Sequence, residues 1–338
     1  MSKRVLTTLL LAALSIAVTP ACSKKEIAKA TFMPMGGIPF TVQAYDVSTA
    51  TFDKAMTEIQ EETERLEGVF SFHRDDSELA TLNREGKAKV SPELLRVIQV
   101  GQLVSNATDG AFDVSVGPMI DLWRRCAELG RLPNEEEFES HKELVGFRFV
   151  SVNVNESRVT LQRKNMIVDL GGVAKGFIAD RAADILQGHG IKRGIVDAGG
   201  NLALFNSVGE EPFKVGVRHP ERPNERIAVL SIDSGAVVTS GCYERFYEIG
   251  GAHYCHILDP RTGQPAGELL SATIVASEGA YADALSTAVM VLGKEKGLQV
   301  INSLPDAKAL IIWREGNELK WAVSNGLEDK VQFLVPGN

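Results

Sequence analysis

The sequence predicts an α+β fold: one domain over residues 30–336, built on a mixed, mainly antiparallel sheet with helices packed against it. Three observations predict it. Apolar residues switch from helical spacing to alternation beyond Phe149, and back to helical spacing at Val173. Turn residues, Gly199-Gly200 among them, separate neighbouring alternating runs, as hairpins require. Helices and strands are interspersed without the steady strand–helix–strand repeat of a parallel sheet. The 338 residues are 44% apolar and 24% charged, the balance of a globular protein with a sizeable core. A formal net charge of -8 leaves no basic stripe to pair with nucleic-acid phosphates.

The amino end reads as an export signal. Lys3 and Arg4 precede an apolar run over 5–18 that is too short to span a membrane comfortably. Cys22 follows Ala21 as at a bacterial lipoprotein cleavage site, although Thr19 and Pro20 depart from the usual pattern; ordinary cleavage near Ala21 is the alternative. Residues 1–21 are thus expected to be removed, Cys22 to carry lipid, and 22–29 to form a tether on the periplasmic side of a bacterial membrane. Ser23 in place of aspartate permits the outer membrane. Cys126, Cys242 and Cys255 remain, so at most one internal pair can form, and their spacing is no zinc pattern. A Cys242 to Cys255 bridge across neighbouring strands stays open beside the reading of small buried residues.

Two extended runs about Gly36-Gly37 make 30–47 a strand pair. Phe52, Met56, Ile59, Thr63 and Leu66 recur at helical spacing over 48–66. Ser77 is placed to cap a short helix, and Ser91-Pro92-Glu93 opens another that runs to about Asn106, with proline in its first turn. Asp109-Gly110-Ala111-Phe112-Asp113 is a tight turn with two acids, followed by helix after Pro118 and a charged surface helix over 133–143. Three strands are expected in SVNVNESRVTLQRKNMIVDL, the last of them 166–168. The next helix, 173–186, is amphipathic through Ala174, Phe177, Ile178, Ala182, Ile185 and Leu186, with Gly188 and Gly190 to end it. RGIVDAGGNLALF is a strand pair. Further strands fall at 213–217, 226–232, 236–239, 253–258 and 270–276, then helices at 280–292 and 295–302, and strands at 307–313 and 320–323. No internal repeat or low-complexity tract interrupts them.

Chemistry concentrates where an acid and two glycines open the 173–186 helix. Asp169, Gly171, Gly172 and Lys175 stand at its mouth. Glycines admit a ligand close to the backbone, helix amides favour anions and lysine adds a point charge, which suits a phosphate. The spacing is neither the Walker nor the G-x-G-x-x-G pattern. His256-Ile257-Leu258-Asp259-Pro260-Arg261-Thr262-Gly263 ends a strand in a proline turn that holds His256 and Asp259 at an edge; a surface turn with Asp259 and Arg261 paired locally fits the same residues. Asp283, Ser286 and Thr287 share a helix face, and their oxygens suit a hard cation such as magnesium. A cap and two packing residues would look alike. Asp197-Ala198-Gly199-Gly200-Asn201 and Thr239-Ser240-Gly241 add two turns where main chain can approach a ligand. Each piece alone is ordinary; their joint occurrence in this order is not.

Together they resemble the ApbE family of FAD:protein FMN transferases, through Met35-Gly36, Asp76-Ser77-Glu78-Leu79, Ala111-Phe112-Asp113, DLGGVAKG at 169–176, DAGGNL at 197–202, TSG at 239–241, HILDPRTG at 256–263 and ADALSTAVMVLG at 282–293. The resemblance spans 35–293. It implies a magnesium-dependent reaction in which FAD is split at its pyrophosphate, FMN is joined through a phosphoester to a threonine of a target protein, and AMP is released. It implies Mg2+ held by Asp283 and Thr287 with Gly172 and Ser286, and FAD contacts at Met35, His73, Ala111, Phe112, Asp113, Asp169, Lys175, Gly200 and Ile257. His256 would activate the acceptor hydroxyl as a neutral imidazole, with Asp283 as the second catalytic residue. The implied partners are flavin-carrying subunits such as those of sodium-pumping NADH:quinone reductase or Rnf-type complexes.

Two positions depart from the family pattern. His73, beside Phe72, stands where many members carry tyrosine, and Gly37 replaces a threonine. His73 keeps an FAD pyrophosphatase in view, with water in place of threonine; a non-catalytic FAD-binding lipoprotein is the third reading. Mass spectrometry of the mature protein is expected to find a lipidated Cys22 at its amino end. An unmodified start at Cys22 would exclude the anchor.

Overall fold

The computed structural model describes residues 27–334. The signal run, Cys22 and the start of the expected tether lie outside the described residues. Ile27, Ala28 and Lys29, expected as tether, already belong to the first strand.

In chain order the elements are β1 (Ile27–Phe32), β2 (Phe40–Tyr45), α1 (Thr49–Phe70), α2 (Glu78–Glu85), β3 (Lys87–Lys89), α3 (Pro92–Ala107), α4 (Gly117–Glu128), α5 (Glu135–Lys142), β4 (Val150–Asn153) and β5 (Arg158–Leu161). They continue with α6 (Ala174–Gly188), β6 (Gly194–Ala198), β7 (Asn201–Phe205), β8 (Phe213–Arg218), β9 (Arg226–Ile232), β10 (Gly235–Gly241), β11 (Phe246–Ile249) and β12 (Ala252–Cys255). The last are β13 (Leu269–Ala276), α7 (Gly279–Ser303), β14 (Ala307–Glu315), β15 (Glu318–Val323) and β16 (Val331–Phe333). Serines start the early helices: the Ser48, Ser77 and Ser91 hydroxyls accept from Thr51, Ala80 and Leu94 N–H, each worth about 1 kcal/mol.

Eight strands in the order β1-β2-β6-β7-β10-β13-β14-β15 form the main sheet, and every ladder in it is antiparallel. Both of its faces are covered. Ala236 and Val238 of β10, with Ala309 and Ile311 of β14, join the core shared with α1, α3, α6 and α7. Val237, Leu310 and Ile312 point the other way, against Phe213, Val217, Ile227 and Leu230 of the small β16-β9-β8 sheet. This two-sided burial explains why the central strands read as nearly unbroken apolar runs.

Three expectations are corrected, and three short strands are added. Met166 and Val168 are buried, but residues 166–168 form no strand, because the Asn83 side chain takes the place of a neighbouring backbone: its amide donates to Val168 O at 2.9 Å and its oxygen accepts from Val168 N at 2.8 Å. The two helices near the carboxyl end form α7, broken at Gly293 by a φ of 76°. The strand expected over 253–258 stops at Cys255. The short strands β3, β11 and β16 were not expected at all, being three or four residues long.

The crossing of α6 and α7 positions everything that follows. A Cβ on Gly279 would stand 2.5 Å from the Gly176 carbonyl oxygen, and one on Gly176 would collide with Gly279, so the backbones meet only because both residues are glycine. Neither N-cap residue, Val173 or Glu278, makes a side-chain cap bond. Each helix caps the other: Gly279 N donates to Asp180 Oδ2 at 2.7 Å, and Gly176 N donates to Asp283 Oδ2 at 3.3 Å.

Burial pushes the Asp180 carboxyl up to about 7, against the N–H groups of Gly279 and Ala280 and with the help of the Glu278 and Asp184 charges. Between about pH 4 and pH 7 the folded chain keeps a proton that the unfolded chain has released. The contribution is therefore full below that window and lost as pH rises through it. Asp180→Asn should remove this slope, so its urea-unfolding stability relative to the parent should rise from pH 5 to pH 8, by at most about 3 kcal/mol. An unchanged difference would contradict the assignment.

Candidate functional site

The mouth of α6 is assembled from turns. Asp169 N donates to Val114 O at 2.7 Å, and Asp169 Oδ1 accepts from Gly171 N at 2.8 Å, which folds 169–172 back upon itself. Lys175 Nζ donates to Gly171 O at 2.5 Å and lies 3.4 Å from Asp283 Oδ2 and 3.5 Å from Oδ1. Asp283 is 2% exposed. Burial pushes its carboxyl up, while the Lys175 charge and the Gly176 N–H oppose that shift. Three long contacts are a thin set for a buried carboxylate, and leave it able to take a further cation.

Phe112 and Thr287 close on Gly172. A Cβ there would lie 3.1 Å from Phe112 Cε2 and 3.1 Å from Thr287 Oγ1. Ala111 and Phe112 are held by Asp113, whose Oδ1 accepts from Ser115 N and Oγ at 2.7 Å and whose Oδ2 accepts from Phe147 N at 2.6 Å. Both Asp113 oxygens thus serve the fold, and its side chain acts by shaping the turn. Ser286 is fully buried, donates to Asp283 O at 2.8 Å and bonds Ser240 Oγ at 2.7 Å, so its proton is committed within the fold.

The remaining predicted residues have the following places in the fold. Met35, with a φ of 51°, follows β1 and donates from its N–H to Glu67 Oε2 at 3.3 Å. Gly200, with a φ of 88°, completes the β6–β7 turn, accepts from Thr239 N at 3.3 Å and so abuts the end of β10. His73 is exposed, set edge-on to Phe72 with ring centroids 5.7 Å apart. Burial raises the Asp169 carboxyl, and Gly171 N–H and the charges of His73, Lys175 and Arg245 pull it back.

His256 Nδ1 meets Arg245 O at 2.8 Å. A carbonyl only accepts, so the proton sits on Nδ1 and the Nε2 lone pair is free. Burial lowers the His256 pKa; the Arg245 carbonyl opposes this, and the Arg245 and Lys175 charges reinforce it. Ile257 is buried beside it, its carbonyl accepting from Ala266 N at 2.8 Å. Asp259 and Arg261 pair with each other through two bonds of 2.8 Å, locking the turn. A disulfide joins Cys242 to Cys255 and staples the β11–β12 hairpin under His256.

Arg245 and Tyr247 were missed by sequence reasoning. Tyr247, pushed up to about 12 by burial and then by the Asp169 charge, stacks on Trp123 at 5.9 Å. The only signal was an aromatic-rich stretch between two cysteines. A separate hollow of about 440 Å³ lined by Tyr45, Ser48, His189 and Arg193 contains none of the residues above.

Donor chemistry tests the cation. Among the described residues no group of three or more His, Cys, Asp or Glu gathers for a metal. Asp283, Thr287 and the carbonyl groups at 171–172 offer hard oxygens with a single carboxylate. Such a set fits magnesium, which commonly takes one or two carboxylates plus substrate phosphates and retains water, and does not fit zinc.

Fold and site define a phosphate-handling enzyme: an anion-favouring helix mouth, a hard-oxygen set beside it and a neutral imidazole across from it. The ApbE family model matches residues 36–311. An FAD:protein FMN transferase of Treponema pallidum (strain Nichols) is 33% identical over 299 residues, covering 83% of this chain and 82% of that protein. The flavin transferase ApbE from Vibrio cholerae superposes with a TM-score of 0.79 at 26% identity, over 91% of this chain and all of that one. An ApbE protein from Thermotoga maritima gives 0.79 at 31% identity, over 87% and 96%. This chain belongs to the ApbE family.

The tautomer is directly measurable. Imidazole 15N spectra should show His256 as the neutral Nδ1–H form at pH 7, titrating below its ordinary 6.5. A neutral Nε2–H form would overturn the bonding described, and a midpoint above 7 would overturn the burial effect.

Proposed function

We propose that this protein is a magnesium-dependent FAD:protein FMN transferase that moves FMN from FAD to a threonine of an acceptor protein. One observation carries the reading: Lys175 Nζ lies 3.4 Å from the buried Asp283 carboxylate at the α6 mouth, where Thr287 Oγ1 closes on Gly172. The FAD diphosphate would rest against the α6 amides with Lys175 beside it. Magnesium, held by Asp283, Thr287 and the Gly172 carbonyl, would neutralise charge on the phosphates. His256 Nε2 takes the proton of the threonine hydroxyl, that oxygen bonds the FMN phosphorus, and the bond from phosphorus to the bridging oxygen breaks to release AMP. Phe112 and Ala111 wall the site, and Asp169 shapes its floor.

Anchoring at Cys22 would place the enzyme on the periplasmic side, beside acceptors such as subunits of sodium-pumping NADH:quinone reductase or Rnf-type complexes. The disulfide accords with that oxidising setting.

Purified protein given FAD, Mg2+ and a threonine-bearing acceptor is expected to yield covalently flavinylated acceptor and AMP. Free FMN formed without need of acceptor would replace the transferase with a pyrophosphatase, and unchanged FAD would leave a binding protein. Asp283→Ala should lower the transfer rate by on the order of 100-fold or more while the fold survives. Parent-like turnover of that variant in chelator would defeat the metal role.

A further inference from the structure

We infer that Ser286, oriented by Ser240, is a positioning residue: its hydroxyl occupies the carbonyl that Thr287 would otherwise bond and so leaves the Thr287 hydroxyl turned toward Gly172. The inference rests on the cation reading above and deepens it.

A threonine inside a helix ordinarily bonds its hydroxyl back to the carbonyl three or four residues earlier. Thr57, Thr63 and Thr81 of this chain do so, donating to Asp53, Ile59 and Ser77 O at 3.0, 2.7 and 3.1 Å. Thr287 breaks the pattern. The carbonyl four residues before it is that of Asp283, and Ser286 Oγ already donates to it at 2.8 Å. Ser286 has one proton, so in its 2.7 Å contact with Ser240 it accepts and Ser240 donates. Ser240 is the penultimate residue of β10, and the hydroxyl chain therefore ties the site turn of α7 to the main sheet. Thr287 Oγ1 is left facing α6, 3.1 Å from where a Gly172 Cβ would stand.

The test is Mn2+ binding by the whole protein, followed by electron paramagnetic resonance without flavin, with thermal unfolding as a check on folding. Ser286→Ala and Ser240→Ala should each weaken Mn2+ binding by about 10- to 100-fold, the range for residues that orient a ligand. Ser240→Thr, which keeps a hydroxyl, should restore it. Added to Thr287→Ala, Ser286→Ala should cost nothing more, because it acts through Thr287. Additive losses would make Ser286 a ligand in its own right and overturn the inference, as would parent-like binding in both alanine variants. Ser240→Ala, at a half-buried site, decides the matter if Ser286→Ala does not fold. A parent protein that binds no Mn2+ would remove the cation reading, and the inference with it. Undiminished binding in the variants removes the inference alone.

Discussion

The site depends on two helix amino ends that share one contact. At Gly176 and Gly279 the backbones of α6 and α7 approach too closely for any side chain, and four residues further along each helix an aspartate reaches across to cap the other. The arrangement is nearly symmetrical in position and unequal in strength. Asp180 binds Gly279 N at 2.7 Å, whereas Asp283 is 3.3 Å from Gly176 N. The tight cap holds the helices together, and the loose one keeps a carboxylate in reserve. Exposed to water, a trans cap of this kind would be worth about 1 kcal/mol. Its greater effect is to fix the depth at which Asp283 stands behind Lys175.

Burying a carboxylate beside an ammonium is weak evidence for stability, because desolvation offsets much of the attraction. The pair makes better sense as a charge arrangement. Lys175 stands between Gly171 O and Asp283, with its side chain 27% exposed, so it borders solvent while the acid does not. A positive group at the surface of an anion-favouring helix mouth, backed by a negative group able to hold a second cation, matches what a diphosphate presents.

Much of the architecture was legible because its causes are local. The serine caps of α1, α2 and α3 and the paired glycines of the β6–β7 turn each act within a few residues. Other features were hidden because they depend on a partner distant in sequence. Residues 166–168 carry strand-like composition, yet their hydrogen bonds go to Asn83, 85 residues away. Ser286 looked like a ligand because it lies on the face of Asp283 and Thr287; only Ser240, 46 residues earlier, shows where its hydroxyl goes. The reciprocal caps, 99 and 107 residues apart, have no local signature at all. The use of Asp113 within its turn likewise depends on a distant residue, since its Oδ2 accepts from Phe147 N, 34 residues on.

The two halves of the site are held by different forces. The phosphate half sits on packed helices whose buried Ala282, Leu285 and Ile178 belong to the main core. The histidine half hangs on a two-stranded hairpin, and hairpins of that size are marginal alone. Two devices compensate. Trp123 packs against Tyr247 and Tyr254 on one face, and the Cys242–Cys255 bond closes a loop with a sequence separation of 13, worth about 3 kcal/mol in the chain-entropy account. That bond also holds Arg245 O where it can accept from His256 Nδ1. The free Nε2 lone pair, and with it the capacity to accept a proton near neutral pH, therefore follows from a cross-link that does not touch the imidazole.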